Sequence, residues 1–360
     1  MNTVSQADGF RNDIFCPIDL HEREMLIGLA IGKDRPNFWS LSTDDDGIAA
    51  LLKRLHDLQS KHPGSRVWVA YEASGCGFRL ADLVHEHGFE AAVLAPTNLP
   101  VTPRSRSRKT DKKDVLRILD VLRGHVLAGN DLPAVWIPSR ALRDDREIVR
   151  RRLSLGEKTS KVKNTILGLL RRYGVRPPKG WSNWTKKHRR WLHSAVAELE
   201  YGAAVSLSSL LRELEFMEAE TDQVEQEMIR LSSAERYSAP VQALMEIPGI
   251  GLLTAMVFLT EVGDLSRFKN RREFGSYLGL TPRCWESGEQ DDRKGHISKM
   301  GPPRIRKVLN QASWSHVRWD AEAKVWYQDH TPGKKGRKKM IVATMRRLGI
   351  RMWHVAQQAA

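Results

Sequence analysis

Residues 103–114 have the sequence Pro-Arg-Ser-Arg-Ser-Arg-Lys-Thr-Asp-Lys-Lys-Asp, in which a basic cluster surrounds two carboxylates. Basic clusters attract the phosphates of nucleic acids, whereas carboxylates repel phosphate unless a divalent cation lies between them. Asp111 and Asp114 therefore indicate a metal ion held against a phosphodiester. The basic residues of this stretch, which we predict to contact nucleic acid, are Arg104, Arg106, Arg108, Lys109, Lys112 and Lys113.

A helix is predicted directly after this stretch. Apolar residues between Val115 and Leu122 recur with helical spacing, while the proline and serines before residue 110 favour a loop. Asp111 and Asp114 lie three residues apart in the first turn of that helix, so they share a face. Acidic residues also stabilise a helix N-terminus by themselves, and this simpler interpretation stays open on the sequence of this stretch alone.

This helix is the last element in an alternation of strands and helices that begins near residue 14. Short apolar segments separated by short polar turns predict a meander of three strands, after which helices alternate with two further strands. The predicted strands are 14–19, 25–32, 37–41, 66–71 and 91–94, and the predicted helices are 44–61, 78–87 and the helix from 111. This order is typical of an α/β RNase H-like domain.

Four carboxylates fall at positions that such a topology would bring together. Asp19 ends the first strand, Glu72 ends the fourth, and Asp111 and Asp114 open the last helix. Because neighbouring central strands end at one edge of the sheet, we expect the four side chains to converge there, and four acidic oxygen donors suit one or two Mg²⁺ ions. Each residue alone has a simpler explanation as a solvated strand end or a helix cap.

Composition places the chain among globular proteins that meet polyanions. The 360 residues are enough for two or three domains, and the net charge of +15 points to nucleic acid or an anionic membrane surface. No apolar run approaches the ~20 residues of a membrane span, and the polar N-terminus lacks the apolar core of a signal peptide. Three scattered cysteines predict neither a disulfide framework nor a zinc site. We therefore expect a cytoplasmic protein.

A basic helical region follows, from about residue 139 to 173, and a second long helix lies near residues 207–231. The second helix carries a heptad pattern, which predicts a coiled coil either within the chain or between subunits. Its heptad positions are Leu207, Leu210, Leu214, Met217, Thr221, Val224, Met228 and Leu231.

The segment Pro248-Gly249-Ile250-Gly251 separates two apolar helical patterns and is typical of a helix-hairpin-helix element. Glycines permit a tight turn and allow the amides of a helix start to approach a phosphate. Gly249 and Gly251 are therefore candidate nucleic-acid contacts, although a plain helix–helix turn would use the same residues. Further candidates in the C-terminal part are Arg283, Lys299, Arg304, Lys334, Lys335, Arg337 and Lys338.

Ser287 lies in a glycine-flanked segment among basic side chains, which we interpret as a loop. A serine hydroxyl there could attack a phosphorus atom while cations stabilise the developing charge. Most loop serines only form turns, so composition alone does not single this residue out.

Taken together, these motifs resemble those of the bacterial insertion-sequence transposases that have a DEDD-type, RuvC-like N-terminal domain and are described as bridge-RNA-guided serine recombinases. The resemblance covers roughly residues 13–350, and the ordered set of motifs is specific. The matching segments are Ile18-Asp19, Tyr71-Glu72-Ala73-Ser74-Gly75, Lys109-Thr110-Asp111-Lys112-Lys113-Asp114, Ile247-Pro248-Gly249-Ile250-Gly251, Leu278-Gly279-Leu280-Thr281-Pro282-Arg283, Glu286-Ser287-Gly288 and Ile297-Ser298-Lys299-Met300-Gly301. Pro17 departs from the family, which usually has glycine before the Ile-Asp pair.

The resemblance implies that Asp19, Glu72, Asp111 and Asp114 bind Mg²⁺ and that Ser287 is the nucleophile of a covalent phosphoserine link to DNA. It further implies that a noncoding bridge RNA pairs with double-stranded donor and target DNA, so that base pairing selects the sequence. The expected assembly is a homo-oligomer, a tetramer of two dimers, whose composite sites combine the carboxylates of one subunit with the serine of another.

The sequence thus predicts three regions: a RuvC-like domain at 1–130, a helical coiled-coil region at 131–238, and a mostly α C-terminal domain at 239–360 that carries the serine. Two rival functions remain at this stage. One is a metal-dependent RNase H-like nuclease or junction resolvase with water as nucleophile. The other is a nucleic-acid-binding scaffold without catalytic activity, whose binding would depend steeply on salt.

Overall fold

A computed structural model describes residues 13–100, 110–287 and 290–360, and the chain divides into two compact units, Met1–Ile137 and Pro138–Ala360. The first unit contains five strands and three α-helices among its described residues. They are β1 (Ile14–Leu20), β2 (Glu24–Ile31), β3 (Asn37–Ser42), α1 (Asp45–Lys61), β4 (Val67–Glu72), α2 (Arg79–Glu86), β5 (Glu90–Leu94) and α3 (Asp111–Ala128). The predicted order of strands and helices is therefore confirmed.

The five strands form one mixed sheet with the order β3-β2-β1-β4-β5. β1 pairs antiparallel with β2 and parallel with β4, and β4 pairs parallel with β5. The two parallel pairs require crossovers, which α1 and α2 provide. This topology is consistent with the predicted RNase H-like fold. The pairing of β1 and β2 keeps one register on both sides of Pro17, because Phe15 faces Ala30 and Ile18 faces Ile27.

The sheet is covered on both faces, and its alternating side chains decide which residues each face receives. Ile14, Cys16 and Ile18 of β1 pack in the cluster that contains α1 and α2, whereas Phe15 packs in the cluster that contains α3. Because successive strand residues point to opposite faces, Asp19 lies on the same face as Phe15. The sequence of β1 therefore directs Asp19 towards the side of the sheet that carries α3.

The second unit is mostly helical, as predicted for this part of the chain. Its described elements are α4 (Arg140–Arg172), α5 (Lys186–Ser194), α6 (Tyr201–Ser232), α7 (Glu235–Met245), α8 (Leu252–Val262), α9 (Arg271–Tyr277), β6 (Pro282–Ser287), β7 (Gln290–Ile297), α10 (Pro303–Trp319), α11 (Ala321–Asp329) and α12 (Gly333–Ala359). This unit contains both the predicted coiled-coil region and the predicted C-terminal domain, whose separation at residue 238 stays a prediction. No described helix of either unit has the length and apolarity needed to cross a membrane.

The heptad helix α6 packs on α4 within the same chain. Leu207, Leu211 and Leu214 share a buried cluster with residues of α4 such as Ile166 and Leu169. Near the other end of α6, Met228 is buried with Val149. Because α6 meets the end of α4 first and its beginning last, the two helices form an antiparallel pair. The structure therefore uses the heptad seam for an intramolecular contact, an alternative that the spacing left open.

Glu218 strengthens this helical pair through ionic hydrogen bonds. Its carboxylate accepts from Arg189 of α5 at 2.8 Å and forms an ion pair with Lys163 of α4 at 2.9 Å. The hydrogen bond from Arg189, followed by that from Lys163, lowers the pKa of Glu218 to about 2.

We expect Glu218→Gln to lower the free energy of unfolding at pH 7 by about 2 kcal/mol, because a depressed carboxyl pKa stabilises the folded state wherever the group is ionised. The stabilisation is complete above the ordinary glutamate pKa and is lost as the pH falls towards 2. Urea unfolding of both proteins between pH 7 and pH 3 should show the difference narrowing with acid. Glu213→Gln, at an exposed position of α6, should change stability little, and an equal effect of both substitutions would contradict the assignment.

The segment around Ser287 differs from its sequence-based interpretation. Residue 287 is the last residue of β6, and residues 290–297 form β7, where the sequence indicated a loop. The strands pair antiparallel, with Ser287 opposite Gln290 and Pro282 opposite Ile297. The prediction was wrong because the charged residues 289–294 were taken to exclude a strand, whereas an isolated two-stranded hairpin does not require an apolar face to the core.

Candidate active site

The sheet places Asp19 and Glu72 side by side. β1 and β4 are parallel neighbours in which Ile18 pairs with Tyr71. The next residue of each strand is the acidic one, so both carboxylates lie at the same end of the sheet. Both side chains are partly buried, with 18% of Asp19 and 29% of Glu72 exposed.

A glycine in β2 allows helix α3 to bring the other two carboxylates to this end. A Cβ at Gly28 would lie 2.6 Å from Cγ1 of Val115 in the first turns of α3, closer than any real side chain could approach. Gly28 therefore permits the close contact between α3 and the sheet. Asp111 and Asp114 occupy the first turn of α3, after Thr110 in an extended conformation. This geometry agrees with the position predicted for them.

Asp19, Asp111 and His21 form a group that can hold a metal ion. One ligand atom from each of the three residues lies within 4.8 Å of the others, and Nε2 of His21 lies 3.2 Å from Oδ2 of Asp19. Two carboxylates and an imidazole provide oxygen and nitrogen donors for a divalent cation. The donor set therefore fits the metal ion that the sequence predicts, while its identity as Mg²⁺ stays a prediction.

Glu72 and Asp114 are joined instead through Arg117, which lies one turn further along α3. Nη2 of Arg117 contacts Oε1 of Glu72 and lies 3.2 Å from Oδ1 of Asp114. The Arg117 side chain is only 22% exposed, and its Nε is buried without a hydrogen-bond partner among the described residues. The guanidinium therefore offsets the charge of two of the four carboxylates.

The electrostatics of Asp19 reflect this concentration of negative charge. Burial raises the pKa of Asp19 above its usual range, the nearby Asp111 and Asp114 raise it further, and His21 opposes the shift. Such a carboxyl holds its proton more readily than an exposed aspartate. A cation at this position would favour its ionised form.

His21 and Arg117 are the two residues of this site that the sequence did not reveal. His21 follows Asp19 by two residues, and Arg117 follows Asp114 by three, so each lies beside a predicted ligand in the sequence. The one available signal for Arg117 was the i,i+3 spacing, which pairs acid and base on a helix face. Its contact with Glu72 depends on how α3 packs on the sheet, which spacing does not specify.

Part of the predicted nucleic-acid surface can be located. Lys112 and Lys113 are exposed on α3, and Nζ of Lys112 lies 5.7 Å from the centre of the Phe38 ring. Arg337 and Lys338 are exposed on α12. The predicted contacts Arg104, Arg106, Arg108 and Lys109 lie outside the described residues, as do the side chains of Ser287, Lys334 and Lys335.

The two glycines of the α7–α8 turn have different surroundings. Gly249 has a φ of +92°, which confirms the tight turn, but a Cβ there would lie 2.5 Å from the backbone nitrogen of His316 in α10. His316 also forms a 2.7 Å hydrogen bond through Nδ1 to the carbonyl of Pro248. Gly251 is exposed directly before α8 and has no atom near its Cβ position. The packing thus explains Gly249 without a ligand, and the phosphate contact stays a prediction.

The basic residues proposed to surround Ser287 are dispersed along unit 2. Arg283 precedes Ser287 in β6 by four residues, about 13 Å along a strand, and donates to the carbonyl of Ser298 at 3.3 Å. Lys299 lies beyond the base of the hairpin with a φ of +56°. Arg304 lies 3.8 Å from the Glu261 carboxylate. Within one chain, Arg283 and Lys299 therefore lie towards the opposite end of the hairpin from residue 287.

Comparisons with known proteins agree with this site. A family model for DEDD transposases of the IS110 group matches residues 18–175, which include all four carboxylates, and a model described as "Transposase IS116/IS110/IS902 family" matches residues 241–328.

Similar proteins cover nearly the whole chain. The predicted transposase y4rJ of Sinorhizobium fredii is 30% identical over 94% of this chain and 91% of its own length. A second predicted transposase of that species, y4qE, is 27% identical over 99% of this chain and 92% of its own length. The transposase for insertion sequence element IS1533 of Leptospira borgpetersenii is 22% identical over 95% of both chains. This chain therefore belongs to the IS110/IS116 family of DEDD transposases, enzymes that act on DNA.

Proposed function

We propose that this transposase cuts and rejoins DNA through a phosphoserine intermediate, guided by a noncoding bridge RNA that pairs with double-stranded donor and target DNA. The observation that carries the proposal is the convergence of Asp19, Glu72, Asp111 and Asp114 at one end of the sheet. Acidic residues at a site that must accept a phosphodiester are best explained by a bound cation, because otherwise they would repel the substrate.

In this proposal the carboxylate set holds Mg²⁺, which would orient the phosphate and offset its charge when bound. Ser287 supplies the attacking hydroxyl: its Oγ forms a bond to phosphorus, the bridging P–O bond to a sugar oxygen breaks, and the freed hydroxyl later reverses the step on another strand. The enzyme acts as a homo-oligomer, a dimer or tetramer, in which one subunit's serine serves another subunit's carboxylates. It works in the bacterial cytoplasm at the nucleoid.

Exposed basic side chains would hold the DNA backbone near both parts of this site. Lys112 and Lys113 lie on the helix that presents Asp111 and Asp114, so a phosphate bound at the carboxylates would pass close to them. Ionic contacts of this kind make binding strongly dependent on salt and add little sequence preference. The division between backbone binding by protein and sequence choice by RNA is consistent with this arrangement.

We expect Asp111→Asn to reduce transposition about 100-fold, since the amide keeps the shape of the side chain but lacks the charge that holds a cation. A plasmid assay that counts integration events from the native element checks this result. Asp46→Asn, which alters an exposed aspartate in the first turn of α1, is the matched control and should retain normal activity. Unchanged transposition by Asp111→Asn would rule out a catalytic carboxylate set.

A further inference from the structure

The four acidic side chains of the site are not equivalent. Asp19 and Asp111 lie together with His21, with ligand atoms within 4.8 Å, whereas Glu72 and Asp114 both contact the guanidinium of Arg117. The site therefore consists of one group of donors available to a cation and one pair of carboxylates that already has a positive partner.

Arg117 is held at this position by its helix and its surroundings. It lies three residues after Asp114 on α3, where side chains of that spacing are neighbours, and it is mostly buried at 22% exposure. Its guanidinium stays protonated at every pH relevant to proteins and presents a rigid set of donors that matches carboxylates. Among the described residues, it is the only cation in contact with either carboxylate.

A divalent ion bound between Glu72 and Asp114 would have to occupy the immediate neighbourhood of this guanidinium. The two positive charges would repel each other strongly in a partly buried site, where water screens poorly. Two-ion sites for phosphoryl chemistry place cations about 3.5–4 Å apart, so a fixed guanidinium at one position can supply part of the charge of the second ion.

We propose that each carboxylate site takes a single divalent cation, bound by Asp19, Asp111 and His21, and that Arg117 provides a fixed positive charge at Glu72 and Asp114 where a second ion would otherwise bind. This inference rests on the proposed metal-dependent function and adds its stoichiometry and a nitrogen ligand. An imidazole donor favours Mn²⁺ over Mg²⁺, because Mg²⁺ is bound mainly through carboxylates and water. Arg117 is thus a positioning residue rather than a group that touches the reacting atoms.

The test is titration of the metal-free, full-length protein with Mn²⁺, followed by electron paramagnetic resonance of the free ion and by calorimetry. We expect one Mn²⁺ per chain for the natural protein and two for Arg117→Ala. Arg117→Gln keeps a side chain of moderate length without the charge, so it should also bind two ions and guards against an effect of lost packing. Arg117→Lys keeps the charge and should bind one.

Two further variants assign the positions. Glu72→Gln combined with Arg117→Ala should return the stoichiometry to one, because the second position loses a carboxylate. His21→Ala should weaken the first ion about 10-fold and remove nitrogen hyperfine coupling from the bound Mn²⁺. Thermal unfolding of each variant establishes that it is folded.

Two Mn²⁺ ions in the natural protein, or a single ion of unchanged affinity in both Arg117→Ala and Arg117→Gln, would overturn the inference while leaving a metal-dependent transposase intact. Absence of any Mn²⁺ binding by the natural protein would overturn the metal component of the proposed function as well. Nitrogen coupling that persists in His21→Ala would remove His21 from the ligand set.

Discussion

Replacing Ser287 with alanine should eliminate the covalent protein–DNA adduct and reduce transposition by at least about 10⁴-fold. Removal of a nucleophile costs more than removal of any group that assists it, since no other atom can form the same covalent bond. The measurement is a denaturing purification of tagged protein from cells that carry the native element, with quantification and sequencing of the DNA that stays attached. DNA retained only by the natural protein would identify Ser287 as the attachment site.

The control for this experiment is Ser276→Ala, which removes a hydroxyl from an exposed position of α9 in the same unit and should retain the adduct. Adduct formation by Ser287→Ala would contradict the proposed nucleophile. Absence of an adduct from the natural protein would favour a nuclease or resolvase with water as nucleophile, provided that cleavage requires a divalent ion. Salt-dependent binding without cleavage would instead indicate a scaffold.

The ligands of the carboxylate site were predictable because they depend on connectivity. Asp19 and Glu72 end strands, Asp111 and Asp114 begin a helix, and the alternation of elements indicates which ends of a mixed sheet meet. His21 and Arg117 were not predictable, because their roles depend on side-chain packing. Arg117 reaches Glu72, 45 residues away in the sequence, only because Gly28 allows α3 to lie close to the sheet.

Patterns of hydrophobicity left other questions open for a similar reason. The heptad of α6 specifies that one face is buried, but α4 of the same chain and a helix of another subunit would bury it equally well. Similarly, the Pro-Gly-Ile-Gly segment specifies a tight turn between helices. Whether Gly249 faces a phosphate or the backbone of α10 depends on the position of α10, which lies about 65 residues later in the sequence, and the structure places His316 there.

Replacing Asp145 with alanine should destabilise the second unit by about 3 kcal/mol, the largest effect on stability that we expect from a single side chain. Asp145 lies near the start of α4 and is buried at 4% exposure. Its carboxylate accepts hydrogen bonds from Arg236 at 2.7 and 3.0 Å and from the hydroxyl of Tyr237 at 2.8 Å. Alanine would leave the buried Tyr237 hydroxyl unpaired, whereas the half-exposed Arg236 can regain water.

The direction of a second observation supports this network. Burial, followed by the hydrogen bond to the Asp145 carboxylate, raises the pKa of Tyr237, so the phenol remains a donor throughout the range of pH in which the protein functions. Asp144→Ala is the matched control, because the neighbouring aspartate is exposed and its loss should change stability by less than about 0.5 kcal/mol. Amide hydrogen exchange measures the effect locally and does not require two-state unfolding.

The same experiment bears on the predicted boundary at residue 238. Asp145 joins α4 to α7, and α4 also meets α8 where Arg146 donates to the carbonyls of Thr260 and Glu261 at 2.7 and 3.0 Å. If these contacts unite the helical region with the C-terminal region, Asp145→Ala should accelerate exchange about 100-fold in α4, α7 and α8 together. Acceleration confined to α7 and α8, with α4 and α6 still protected, would instead mean that the antiparallel helical pair is stable by itself and that the chain contains a third cooperative unit.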